Sequence, residues 1–138
     1  MSWTEKMKEW GGANVLFLSE DGEYVKFVVV GEPVLLESKF KGKPQDRIGC
    51  PIVTEEGFVL FVIGKRLARR LSKHEGIFTT DAFIIIRHGV AGDIDSTYEL
   101  SVLNEPELTE KLIHIAATDF NESMIHEAYN EVLDIMNN

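Results

Sequence analysis

The chain has 138 residues, of which 44% are hydrophobic and 27% charged, an ordinary globular balance that sets wholesale disorder aside. Its single cysteine, Cys50, has no partner for an internal disulfide and cannot build a cysteine-rich zinc site, which fits a reducing cytoplasm. The net charge of −9 is uneven: residues 1–88 carry 13 Lys/Arg against 12 Asp/Glu, whereas residues 89–138 carry one Lys against 11 acids.

In chain order, Met1 to Asn14 is an N-terminal segment in which Trp3, Met7 and Trp10 fall at i, i+4, i+7, the spacing of a short amphipathic helix, before the Gly11–Gly12 joint. It lacks the apolar core of a signal peptide, and no apolar run in the chain approaches the ~20 residues that span a membrane. Val15 to Leu18 reads as a short strand, and Ser19-Glu20-Asp21-Gly22 as a hairpin turn leading into the next strand. YVKFVVVGEPVLLESKF then reads as one very long strand, bent at Gly31-Glu32-Pro33. Lys39 to Arg47 places four cations around Phe40, with Gly42 and Pro44 opposing regular structure, and reads as a basic loop. GFVLFVIG is an apolar strand, and Lys65 to His74 a helix with Leu67, Ala68 and Leu71 inward and Arg66, Arg69, Arg70 and Lys73 outward. FIIIRHG, the turn VAGDIDS and TYELSVL form a closing hairpin. Beyond it, Asn104 is expected to cap a helix with Glu107 reaching back, carrying Leu108, Leu112, Ile115 and Ala116 on one face. A second helix from about Glu122 carries Ile125, Ala128, Tyr129, Val132 and Met136 on one face.

A long bent strand, further strands, one helix and a closing hairpin make the order of a mainly β, five-stranded OB-fold barrel, with a short helix between strands 3 and 4 and one or two C-terminal helices. The expected divisions are 1–14, an N-terminal segment; 15–103, the OB-fold domain; and 104–138, an acidic amphipathic helical extension. In such a barrel the helix plugs one end, so its outward charges are expected to be solvated surface. His74, His88, His114 and His126 stand singly, no P-loop or nucleophile motif occurs, and Asp93 and Asp95 read as turn formers; no enzyme and no cofactor or metal is expected. OB barrels bind oligonucleotides, holding single strands by cations on phosphates and aromatics against bases. Lys26, Lys39, Lys41, Lys43, Arg47, Lys65 and Arg87 are the candidate phosphate contacts, and Phe40, Tyr98 and Tyr24 the candidate stackers, whereas Phe27, Phe58, Phe61 and Phe83 sit in core-type runs.

FLSEDGEYVKFVVVGEP, with the aromatic-bearing strand and basic loop after it, and FIIIRHGVAGDIDSTYELSVL together resemble the OB-fold single-stranded DNA-binding proteins of tailed bacteriophages. The similar stretches cover about residues 15–48 and 77–103. The resemblance implies non-sequence-specific binding of single-stranded DNA in phage replication or recombination, in the cytoplasm of a bacterial host. The zinc subdomain of some members is missing, since only Cys50-Pro51 stands in its place. The family's acidic C-terminus, which recruits replication enzymes, is matched in sign by amphipathic helices, which implies docking of replication or recombination proteins. The alternative is an OB-fold protein-interaction module that dimerises or docks through those helices.

Overall fold

The bent strand organises everything around it. In the computed structural model, which describes residues 14–37, 39–40, 43–44, 46–89 and 97–137, that strand is split into β2 (Tyr24–Val29) and β3 (Val34–Leu36). Both halves pair antiparallel with the same neighbour, β6 (Arg47–Thr54): Val28 and Val29 face Val53 and Ile52, while Val34, Leu35 and Leu36 face Gly49, Ile48 and Arg47. The interruption at Gly31 is enforced by crowding, because a Cβ there would lie 2.8 Å from Ile125 Cδ1 and 3.5 Å from Pro51 Cγ. A two-residue turn at Glu55-Glu56 carries β6 into β7 (Gly57–Ile63). Gly57 takes φ +110°, a conformation that side-chain-bearing residues avoid.

β1 (Val15–Leu16) does not form the hairpin with β2 that its Asp-Gly turn suggests. It runs parallel to β7, with Val15 and Leu16 opposite Leu60 and Phe61, and the Asn14 carbonyl accepts the Leu60 N–H at 2.7 Å. The reason is that both edges of β2 are already taken, one by β6 and the other by β8 (Phe83–His88). The free edge of β7 supplies the backbone partners that so short a strand needs. The turn itself survives, with Gly22 at φ +82°.

β8 pairs in turn with β9 (Thr97–Val102). The sheet is thus seven-stranded and open in the order β1-β7-β6-β2-β8-β9, with β3 beside β2 on β6. The fold is mainly β; pairing of β9 with β7 or β1, which would close a barrel, does not occur among the described residues. The expected basic loop also contains regular structure: β4 (Lys39–Phe40) and β5 (Lys43–Pro44) form a small antiparallel ribbon. Pro44 does not prevent it, because a proline is tolerated where a strand has an open edge. Lys41 and Gly42 lie outside the described residues, as do Trp3, Trp10, Asp93 and Asp95.

Strand alternation sends side chains to two separate cores. On one face, Val25, Phe27, Cys50, Ile52, Phe61, Ile63, Phe83 and Ile85 meet Leu67 and Leu71 of α1 (Lys65–Ser72). Phe27 lies between Phe61 and Phe83 with ring centroids 6.1 and 6.0 Å away. Phe78, from the segment after α1, meets Phe83 edge-on at 5.8 Å. α1 ends two residues before the expected His74. The Lys73 and His74 N–H groups bond back to Arg70 and Leu71, and the chain tightens into a 3-10 turn at Glu75–Ile77.

On the opposite face, Val28 and Val53 are covered by Leu112 of α2 (Pro106–Thr118), and Leu36, Leu60 and Val62 by Ala128 and Val132 of α3 (Ser123–Asn137). The predicted apolar stripes of both C-terminal helices are thereby buried on the sheet. The cap of α2 differs from expectation: Glu105, not Asn104, stands at the N-cap, and no side chain bonds the first turn. Pro106 occupies the first helical position, where its missing N–H costs nothing, and this sets the boundary one residue later. The Glu105 carboxylate is engaged elsewhere, by Lys26 Nζ at 2.7 Å.

Candidate functional site

Side chains of the predicted site fall into three groups. Lys26 stands alone, on the face of the sheet covered by α2. Its ammonium is held by Glu105, and this hydrogen bond raises its pKa above the ordinary lysine value. It also lies 5.9 Å from the ring of Tyr24, a residue that is 59% exposed. As an already neutralised cation, it has little charge left for a phosphate.

Arg47 and Lys65 make the second group. Ile48 and Ile63 are register partners, so the start of β6 and the end of β7 lie together at one end of the sheet. Lys65, opening α1, pairs with Asp46 at 3.6 Å, and Arg47 Nη1 lies 3.7 Å from where a Gly64 side chain would begin. The β4–β5 ribbon bearing Lys39, Phe40 and Lys43 precedes β6 directly, and so emerges at this same end. Lys41 lies outside the described residues.

Arg87 and Tyr98 form the third group, as direct register partners on β8 and β9. Both point to the α1 side of the sheet, where Tyr98 packs against the core. Arg87 is only 6% exposed. Its Nη1 donates to the Gly89 carbonyl, and its own carbonyl accepts from Gly22 N–H at 2.7 Å. Gly89 N–H in turn bonds Asp21 Oδ1 at 3.0 Å. This web ties the 19–23 turn to the end of β8, which makes Arg87 a buried structural brace.

The element that joins the second and third groups is α1. Lys65 at its start meets Asp46, and Arg70 in its last turn donates to the Tyr98 carbonyl at 2.9 Å. That carbonyl lies on the outward edge of β9, since Leu103 N–H bonds Ala82 and fixes the parity of the ladder. Arg70 departs from the expectation that the charges of α1 are solvated surface, because it caps an open sheet edge. Arg66 and Arg69 between these anchors, and Lys73 just beyond them, are exposed. No carboxylate among the described residues pairs with them. Five cations in nine residues, opposed by an apolar stripe at Leu67 and Leu71, were visible in the sequence as a density of charge. What the sequence lacked was the position of the helix between Arg47 and Tyr98.

No protein family, curated protein or solved structure matches the chain. Its chemistry is accordingly read from its own residues. Among the described residues no group of three or more His, Cys, Asp or Glu is placed to hold a metal ion. Among them, too, no helix is long and apolar enough to cross a membrane. Cys50 is buried and free, and burial pushes its thiol pKa up to about 12, far from the thiolate a nucleophile needs.

α1 also forms one wall of a cleft of about 610 Å³, facing the β2–β3 bend and the start of β6. Apolar side chains, among them Val29, Ile48, Leu71 and Phe78, line it; Lys65, Arg69 and Ser72 belong to its α1 side, with Glu32 and Glu75 contributed by the bend and the 3-10 turn. No local pattern in the chain signals this cleft, because its lining comes from four separate segments.

Proposed function

We propose that the protein binds single-stranded DNA without sequence preference, with the cationic face of α1 as the central track. The observation that carries this reading is the placement of α1. Its Arg66, Arg69 and Lys73, exposed and without a carboxylate partner among the described residues, stand on a helix anchored at Lys65 to Asp46 beside Arg47 and at Arg70 to the Tyr98 carbonyl. A chain of phosphates can be followed by such a row, while the acidic helices α2 and α3 lie on the other face of the sheet. Separation of the two charges by a sheet permits a polyanion to be held by a protein of net charge −9, because interactions are screened over ~8 Å at physiological ionic strength.

In this reading the strands are those of an OB-type barrel. β2 with β3 is the long first strand, β6 and β7 the next two, α1 the connecting helix, and β8 and β9 the closing hairpin. The resemblance to tailed-phage single-stranded DNA-binding proteins and a role in replication or recombination belong to the same proposal. A protein-interaction role through the C-terminal helices is less favoured, because Leu112, Ala128 and Val132 are spent on the protein's own sheet.

Fluorescence anisotropy with labelled oligo-dT across a salt series tests the proposal. Binding that weakens steeply with salt is expected. Arg66→Glu with Arg69→Glu should flatten the logarithmic salt slope by about 0.7 for each phosphate left without its cation. Absence of binding at low salt would overturn it.

A further inference from the structure

Beyond the track of phosphates, we propose that the cleft between α1 and the β2–β3 bend receives a single unstacked nucleobase that carries an exocyclic amine. This inference extends the DNA-binding reading by adding a base preference at one position to a phosphate track that is otherwise indifferent to sequence, and it applies equally to a free mononucleotide. Its volume of about 610 Å³ falls within the roughly 300–1,000 Å³ typical of small-molecule sites. Its chemistry divides into three parts, and each matches one part of a nucleotide.

The interior supplies the first part. Val29, Ile48, Leu71 and Phe78 give apolar walls, and the exposed Pro33 adds a ring face. A planar heterocycle gains by leaving water for such a slot, as bases do when they are drawn from a stack. Cations supply the second part: Lys65 and Arg69 belong to the lining, and among the described residues Arg69 has no carboxylate partner. They stand on the same helix as the proposed track, so a phosphate bound there leaves its own base beside the cleft. The third part is acidic. Glu32 and Glu75 also contribute to the lining. Carboxylates accept hydrogen bonds and repel phosphate, so they favour the amino edge of adenine, cytosine or guanine over thymine.

Ser72 permits a clean test. It is exposed, belongs to the lining, and makes a side-chain hydrogen bond to the Arg69 carbonyl one turn back. Ser72→Phe should block the cleft while leaving the core and the cations of α1 in place, with circular dichroism and thermal melting verifying the fold. The probes are an oligo-dT strand carrying one central 2-aminopurine, a base that brightens on leaving a stack, and free deoxyadenosine monophosphate. The expected result is a several-fold rise in 2-aminopurine emission on binding, its loss in Ser72→Phe, and a roughly tenfold weaker affinity of that variant for the strand.

An oligonucleotide that binds with no rise in emission, or with a rise that Ser72→Phe leaves intact, overturns the cleft while the phosphate track stands. If the strand fails to bind but deoxyadenosine monophosphate binds and Ser72→Phe abolishes that binding, the cleft stands as a mononucleotide site and the DNA-binding reading falls. Failure of both probes overturns both. Thymidine monophosphate binding as well as deoxyadenosine monophosphate would remove the role given to Glu32 and Glu75.

Discussion

Cys50 shows how one residue can set a limit on conditions. Its thiol lies in the core that α1 covers, 5% exposed, and its pKa is pushed up to about 12 from an ordinary 9.0 by loss of solvation. The neutral form is thus favoured in the folded chain, so this contribution is complete below pH 9 and is lost as the pH rises towards 12. Over that window unfolding free energy should fall by about 1.4 kcal/mol per pH unit through this residue alone. Cys50→Ala should remove that part of the alkaline slope, as read from urea unfolding at pH 9, 10 and 11; an unchanged slope would assign the loss to other groups. Lys26 offers a contrast. Because its charge is paired with Glu105 on the α2 side, Lys26→Ala should leave oligonucleotide affinity unchanged and lower stability only slightly. Anisotropy and urea unfolding on the same preparation separate the two effects. Both residues illustrate what the sequence hides: Lys26 looked like any strand cation, and only the arrival of Glu105 from 79 positions away gives it a partner.

Among the elements, those with a strong period were legible in advance. β2, β7, β8, β9 and the apolar stripes of all three helices follow from apolar runs, alternation or the i, i+3, i+4 pattern, because burial demands such patterns wherever the element finally docks. β6 was missed, since RIGCPIVT is buried on both faces, carries Gly49 and Pro51, and shows no alternation. Elements fixed by competition for backbone partners were not legible. β1 went to β7 because both edges of β2 were occupied, and no local signal carries that information. The cap of α2 moved for a related reason, since Pro106 and Lys26 together decided the fate of Glu105. The stripe of α2 yields a quantitative expectation. Leu112 is fully buried against Val28 and Val53, so Leu112→Ala should cost about 2–5 kcal/mol through reduced burial and the cavity left behind. A cost well under 1 kcal/mol in denaturant titration would mean that the helix peels away easily.

At the scale of the whole molecule, the segments before and after Leu103 share buried apolar surface. The 15–103 segment alone would expose Leu36, Val53, Leu60 and Val62, which are now sealed under α2 and α3. Truncation after Leu103 is therefore expected to give an insoluble or molten product, recognisable by the absence of a cooperative transition in thermal melting. A soluble fragment with a sharp transition would show that the helices are an optional cover. The candidate site was half legible at this scale. Cations and aromatics could be named from composition and spacing, but the grouping of Arg47 with Lys65, of Arg87 with Tyr98, and the bridge between the groups by α1 depend on which strands lie side by side.

Gly31 belongs to two features at once. Ile125 of α3 sits so close that a methyl group in place of hydrogen would be 2.8 Å away, and the same residue helps to line the cleft. The third helix therefore packs against part of the cleft wall. Opening of α3 in the native ensemble therefore removes the backing of the cleft wall, and the two fluctuations must share part of their free energy. Amide hydrogen exchange gives this a measurable form. In Gly31→Ala, α3 should lose protection as a unit while the core amides of α2 keep theirs, because the added methyl would press most closely on Ile125 of α3, at 2.8 Å.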